Sequence, residues 1–163
     1  MKRLENKVAI ITGAAGSIGK TTAKLFLEEG AKVFLVDLNE EALKSTAAEL
    51  GSKNVQYAAA DVTKAVDVQR YVKDAVKAFG KIDLFFNNAG IEGKQALMTE
   101  YDVAMFKKVI EINLMGVFFG MRYIIPVMQQ QQYGRIVNVA SVGGIRGVLN
   151  QTPYVASKHA VSG

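Results

Sequence analysis

The chain has 163 residues, half of them apolar and 21% charged, a balance that excludes a disordered protein and suits one domain with a sizeable core. Lys+Arg number 20 against 15 Asp+Glu, but the basic residues stand singly or in pairs such as Lys2-Arg3 and Lys107-Lys108, so the net charge of +5 forms no stripe for nucleic acid. Cysteine is absent, which excludes disulfides and thiolate chemistry. No uninterrupted apolar run approaches the ~20 residues that span a bilayer, and Met1 to Lys7 hold no signal-peptide core, so a cytoplasmic location without a membrane partner is expected.

Five short apolar runs alternate with helical patterns. Val8-Ala9-Ile10-Ile11, Val33-Phe34-Leu35-Val36, Val55 to Ala59, Ile82 to Phe86 and Ile136 to Ala140 read as strands. Most are continuously apolar rather than alternating, as strands covered on both faces are. Helices are expected over about 18–29, 40–50, 64–79 and 100–128, with another opening at Thr152-Pro153. Thr63 and Gly80 bracket the third as cap and stop, and Thr99-Glu100-Tyr101-Asp102 resembles a capping box for the fourth. Thr152 reads as a cap and Pro153 as the first helical residue. Pro126 should kink or end the long helix, and Gln129 to Gln132 reads as a solvated helix end. Strand alternating with helix predicts a doubly wound parallel α/β sheet, Rossmann-like, as a single domain over 1–163. A helix from Pro153 would reach only about three turns by Gly163, so the sheet's last strands and a substrate lid are expected to lie beyond this sequence.

After the first strand, Thr12-Gly13-Ala14-Ala15-Gly16-Ser17-Ile18-Gly19 opens a helix. Glycines let backbone approach a pyrophosphate, and amides at a helix N-terminus stabilise its charge, which makes Gly13, Gly16, Ser17, Ile18 and Gly19 candidate cofactor ligands. The second strand ends in Asp37, where a carboxylate can accept hydrogen bonds from ribose hydroxyls. It would repel a 2′-phosphate by about 4 kcal/mol at ~4 Å and an effective dielectric near 20. Leu38 and Asn39 offer no compensating charge, so NAD is favoured over NADP. Asp61-Val62 and Asn87-Asn88-Ala89-Gly90 close the third and fourth strands at the edge where open α/β folds bind ligands; each could instead be a cap or a turn.

Tyr154-Val155-Ala156-Ser157-Lys158 sets a phenol and an ammonium one helical turn apart. Tyrosine hydroxyls titrate near pH 10, and a fixed cation nearby stabilises the phenolate. His159 is rotated by ~100° from Lys158 on that helix and is not assigned a catalytic role.

Taken together, Thr12 to Gly19, Asp61-Val62, Asn87 to Gly90, Asn113, Ser141 and Tyr154-x-x-x-Lys158 resemble, in order and spacing, the short-chain dehydrogenase/reductase family across essentially the whole chain. The resemblance implies hydride transfer between NAD(H) and a secondary alcohol or ketone. Tyr154 would be the general acid/base, and Lys158 would favour its ionised form and bind the nicotinamide ribose. Ser141 would hold the carbonyl, and Asn113 would interrupt the long helix and support a water leading to Lys158. Asp61, Val62, Asn88, Ala89 and Gly90 would complete the cofactor site. The family's compact members set the middle glycine where Ser17 stands; here it is Gly16, and a hydroxyl at 17 could itself bond phosphate.

Substrate choice is expected from the loops Ile91 to Thr99 and Val142 to Gln151, where Arg146 is either an anion contact or a solvated surface residue. The resemblance also implies a homotetramer or homodimer through the long helix and the helix from 153. The apolar face Val109, Ile112, Met115, Gly116, Phe119 fits either that contact or packing on the sheet. A 3-oxoacyl-thioester reductase is the alternative enzyme, disfavoured by Asp37 because such reductases often use NADPH. A noncatalytic NAD sensor or scaffold is the alternative of another class.

Overall fold

The structure is a computed structural model and describes residues 2–163. Five strands, β1 (Val8–Thr12), β2 (Lys32–Asp37), β3 (Val55–Ala59), β4 (Leu84–Asn87) and β5 (Arg135–Asn138), form one sheet in the order β3-β2-β1-β4-β5. Every pairing is parallel. Helices α1 (Ser17–Glu28), α2 (Glu40–Leu50), α3 (Ala65–Phe79), α4 (Val103–Ile110), α5 (Gly116–Gln130) and α6 (Thr152–Ser162) complete it. The doubly wound α/β architecture anticipated from sequence is the one observed.

The order reverses between β1 and β4, so the crevice at their C-terminal ends is where an open sheet of this kind receives a ligand. Side chains from each face of the sheet make a separate core. One gathers Ile10, Phe34, Val36, Phe85 and Ile124 with residues of α3, and the other gathers Ala9, Ile11, Val33, Leu35 and Leu43 beneath α1 and α2. Two-sided burial explains why β1 reads as an unbroken apolar run: all five of its residues are buried.

Several boundaries differ from the sequence expectation. β4 begins at Leu84 rather than Ile82; just before it Asp83 bonds β1 twice, its N–H donating to the Val8 carbonyl at 2.9 Å and its carboxylate accepting the Val8 N–H at 2.8 Å. β5 ends at Asn138; the next residue, Val139, still donates its N–H to the Asn87 carbonyl at 3.0 Å, while its carbonyl accepts from Lys158 Nζ. Lys64, not Thr63, occupies the cap position of α3, while the Thr63 hydroxyl donates to Asp61 Oδ1 at 2.7 Å. Gly80 does end α3, in the left-handed conformation. Asp102 alone caps α4, accepting the Met105 N–H at 2.7 Å, and Thr99 lies in a separate 3-10 turn at Met98–Glu100. Gln151 precedes α6, with Thr152 already helical.

The long helical pattern is one run of 28 residues, Val103–Gln130, with a π-helical turn at Glu111–Met115 between α4 and α5. By length and apolarity it could cross a bilayer, which the broken apolar runs of the sequence did not suggest. Here it lies against the sheet and α3, burying Val109, Gly116, Val117, Gly120, Ile124 and Met128. Phe119 also packs on that core, whereas Met115, Phe118 and Ile125 face outward. Pro126 does not end α5, which runs on to Gln130, so little helix follows the missing N–H.

The glutamine run is not simply solvated. Gln131 accepts the Ile82 N–H at 2.9 Å and donates to the Ile82 carbonyl at 2.8 Å, so one amide side chain pairs with backbone as a strand would. Gln131→Ala strands both groups and should destabilise the fold by about 1–3 kcal/mol. Urea unfolding would show this as a lowered midpoint at unchanged slope.

Candidate active site

The crevice predicted by the strand order is present as a cleft of about 580 Å³. Gly13, Gly16, Ser17, Ile18, Gly19 and Asp37 form one side of it, and Ser141, Tyr154 and Lys158 belong to the other. That volume lies within the ~300–1,000 Å³ typical of small-molecule sites. A second hollow of about 330 Å³ shares Gly13, Asp37, Gly90 and Ile91 with it and extends over Asp61, Val62 and Ala89. Among the described residues no group of His, Cys, Asp or Glu is arranged to hold a metal.

The glycine turn is built by backbone and braced from two sides. Gly13 has φ +64, and the Ala14 N–H reaches across to the Val36 carbonyl at 3.1 Å. Gly19 has no room for a side chain: a methyl there would meet Ala14 Cα at 2.8 Å, so the first turn of α1 sits directly on the loop. Gly16 differs, because its φ of −76 suits any residue and a methyl would meet only the Gly13 oxygen at 3.4 Å. The missing side chain there serves nothing inside the protein and leaves a concavity opening on the cleft. No side chain caps α1, so its leading N–H groups point unpaired toward that concavity. A pyrophosphate fits this arrangement of space and donors.

Thr12 is the brace that sequence reasoning passed over. It is fully buried, and its hydroxyl oxygen accepts the N–H groups of Asn88 and Ala89 at 2.9 and 3.0 Å. Asn88 returns the contact, donating from its side-chain amide to the Thr12 carbonyl at 3.0 Å. Asn88 and Ala89 thus hold the glycine turn while lining the hollows. A hydroxyl on the strand's last residue was the available signal. Asp37 braces the other side: Oδ2 accepts the Ala15 N–H at 3.1 Å and Oδ1 the Asn39 N–H at 3.3 Å. Asp61 also does local work, taking the Thr63 N–H at 3.0 Å, while Val62 lines the second hollow.

Tyr154 and Lys158 both face the cleft from α6, with Nζ 5.7 Å from the phenol ring centroid. Lys158 is only 4% exposed, and its ammonium donates to the Val139 carbonyl at 2.7 Å. Burial holds its pKa below the usual lysine value. Ser141 stands at the end of β5, its hydroxyl oxygen accepting the Gly143 N–H at 3.1 Å. Asn113 sits in the π-helical turn, buried behind the cleft rather than in it. It pairs with the backbone of Ile91, accepting N–H at 2.8 Å and donating to the carbonyl at 2.9 Å. Its amide also donates to the Ser157 hydroxyl at 3.0 Å, which in turn donates to the Tyr154 carbonyl at 2.8 Å. Its direct partners are therefore Ile91 and Ser157. Ser157 went unnoticed in the sequence, although a small polar residue one turn past Tyr154 was visible. A methyl on Gly90 would lie 3.1 Å from Asn113 Oδ1 and 3.7 Å from Lys158 Nζ, so backbone, amide and ammonium crowd together. His159 is exposed and bonds only the Val155 carbonyl.

A glycine turn at the switch point, with a tyrosine and a lysine across the same cleft, is the arrangement of a dinucleotide-binding α/β protein. A model of the short chain dehydrogenase family matches residues 7–163, and the chain belongs to that family. It is 44% identical over 165 residues to levodione reductase of Leifsonia aquatica, covering 99% of this chain and 62% of that protein. The chain thus spans about 62% of the length of that curated relative. An NAD+-bound xylitol dehydrogenase superposes with TM-score 0.94 at 40% identity, covering 98% of this chain and 62% of the other. A 3-ketoacyl-(acyl-carrier-protein) reductase of Brucella melitensis, complexed with NADH, gives TM-score 0.92 at 36% identity, over 97% and 66%.

The buried ammonium has a consequence for stability. The unfolded chain holds that proton more tightly, so the buried charge opposes folding at neutral pH. The penalty fades as pH climbs through the folded pKa toward the unfolded one. Lys158→Met should therefore raise the melting temperature at pH 7 and raise it less at pH 10, as differential scanning calorimetry would show.

Proposed function

We propose that this chain carries the cofactor-binding and proton-transferring part of an oxidoreductase that moves a hydride between NAD(H) and a secondary alcohol or ketone. The observation that carries this reading is the convergence of Ser141, Tyr154 and Lys158 on the cleft that the glycine turn floors. The reaction balances as alcohol and NAD+ giving ketone, NADH and a proton.

When bound, the nicotinamide supplies the hydride acceptor or donor. The rest falls to this chain's residues. The leading amides of α1 and the space at Gly16 receive the pyrophosphate. Asp37 accepts from the adenosine ribose, and Asp61 and Val62 border the hollow beside it. Tyr154 takes the hydroxyl proton of the alcohol, or returns it to the ketone oxygen. The Lys158 ammonium favours the phenolate electrostatically, and its hold on the Val139 carbonyl fixes where that charge sits. Ser141 hydrogen-bonds the same substrate oxygen, one lone pair taken by the Gly143 N–H and its own proton available to donate. Asn113 acts at one remove by fixing Ile91 and, through Ser157, the first turn of α6. The outward Met115, Phe118 and Ile125 of the long helix suit a second copy of the chain in a homo-oligomer.

NAD is preferred on the charge of Asp37, and the NADH complex of the Brucella reductase agrees with that preference in a similar fold. That same complex removes the objection to a 3-oxoacyl-thioester substrate, which stands as the second reading. A noncatalytic sensor would need neither a buried lysine nor a facing phenol.

Tyr154→Phe should lower kcat/KM for alcohol oxidation by about 10²–10⁴-fold, the usual worth of a positioned acid/base. NAD+ affinity, measured by calorimetry, should stay within about threefold. Near-normal turnover in that variant would sink the reading. Asp37→Ser should shift the preference toward NADP+. Because Asp37 also holds the Ala15 N–H, the KM for both cofactors should rise, and steady-state kinetics with each would show both effects.

A further inference from the structure

One carboxylate in the cleft has no place in this chemistry. Glu92 follows β4 and lines the same space as Ser141, Tyr154 and Lys158. Though Glu92 is itself exposed, one bond holds it there: the Gln151 side-chain amide, 6% exposed, donates to Glu92 Oε1. Gln151 in turn is tied to α6, its carbonyl accepting the Val155 N–H at 2.9 Å. Two further bonds fix the segment around Glu92. The Ala96 N–H donates to the Asn150 carbonyl at 3.0 Å, and the Lys94 N–H donates to the Tyr101 hydroxyl at 3.1 Å. The loops after β4 and β5 are thereby stapled beside Tyr154. Among the described residues no cation pairs with Glu92, and its Oε2 has no protein partner.

An exposed carboxylate oriented at the cleft by a buried amide, with one oxygen left open, is placed to accept from whatever the cleft receives. Resting on the oxidoreductase reading above, we infer that Glu92 sets substrate class: it accepts a hydrogen bond from a second hydroxyl beside the reacting carbon and repels carboxylated alcohols. The substrates are then neutral diols, polyols or hydroxyketones rather than hydroxy acids. Gln151 is the positioning residue, acting only through Glu92.

The test uses the full chain with NAD+ and three alcohols: cyclohexanol, trans-cyclohexane-1,2-diol and 3-hydroxybutyrate. The diol-to-cyclohexanol ratio of kcat/KM should fall about tenfold in Glu92→Gln, and the 3-hydroxybutyrate-to-cyclohexanol ratio should rise. Gln151→Leu should lower the diol ratio through KM for the diol, leaving the ratio of the two kcat values unchanged. Equal losses on all three alcohols in Glu92→Gln, or ratios that do not move, would overturn the assignment of Glu92 and leave the oxidoreductase reading intact. Failure of the parent protein to turn over any alcohol or ketone with NAD(H) would overturn both.

Discussion

Placing an ammonium out of water is costly unless a dipole meets it, and Lys158 is placed almost wholly out of water. The carbonyl that meets it belongs to Val139, the first residue past β5. That one contact ties α6 to the end of β5, where the Val139 N–H still donates to the Asn87 carbonyl of β4 while its carbonyl receives the lysine. Tyr154, one turn earlier on α6, is then carried to the cleft, 5.7 Å in ring-to-ammonium distance from the charge. A buried cation kept against its solvation preference is a common mark of a site whose chemistry needs it.

The opposite wall relies on a mixture of neutral and charge-assisted hydrogen bonds to backbone instead. Thr12 with Asn88 and Ala89 on one side, and Asp37 with Ala15 on the other, brace the glycine turn without occupying the space at Gly16. This rigidity has a functional side, because amides aimed at a pyrophosphate are effective only if they need not be ordered on binding. It also means that residues nominated as ligands double as braces. Asp37 shows this best, since a charge that discriminates between cofactors also secures the loop that receives them.

The π-helical turn links the long helix to both walls. Inserting one residue into the helical repeat at Glu111–Met115 turns Asn113 inward, where it clamps Ile91 on the β4 side and Ser157 on α6. Helical periodicity run through 100–128 gives no sign of the turn, because π geometry needs no special residue type. The resemblance to a known family pointed to an interruption at Asn113; hydropathy did not.

Local chemistry made much of this protein legible in its sequence. Continuous apolar runs fixed a two-sided parallel sheet, glycine spacing fixed the turn after β1, and the interval from Tyr154 to Lys158 put two groups on one helical face. Such features depend on neighbours along the chain. What the sequence could not disclose were contacts between segments far apart: Thr12 with Asn88, Gln131 with Ile82, Asn113 with Ser157, Gln151 with Glu92. Each joins a side chain to a partner tens of residues away, and no periodicity or spacing records such a pairing. Only the folded sheet, by bringing its strand ends to one edge, decided which polar groups meet there and which oxygen of Glu92 stays open.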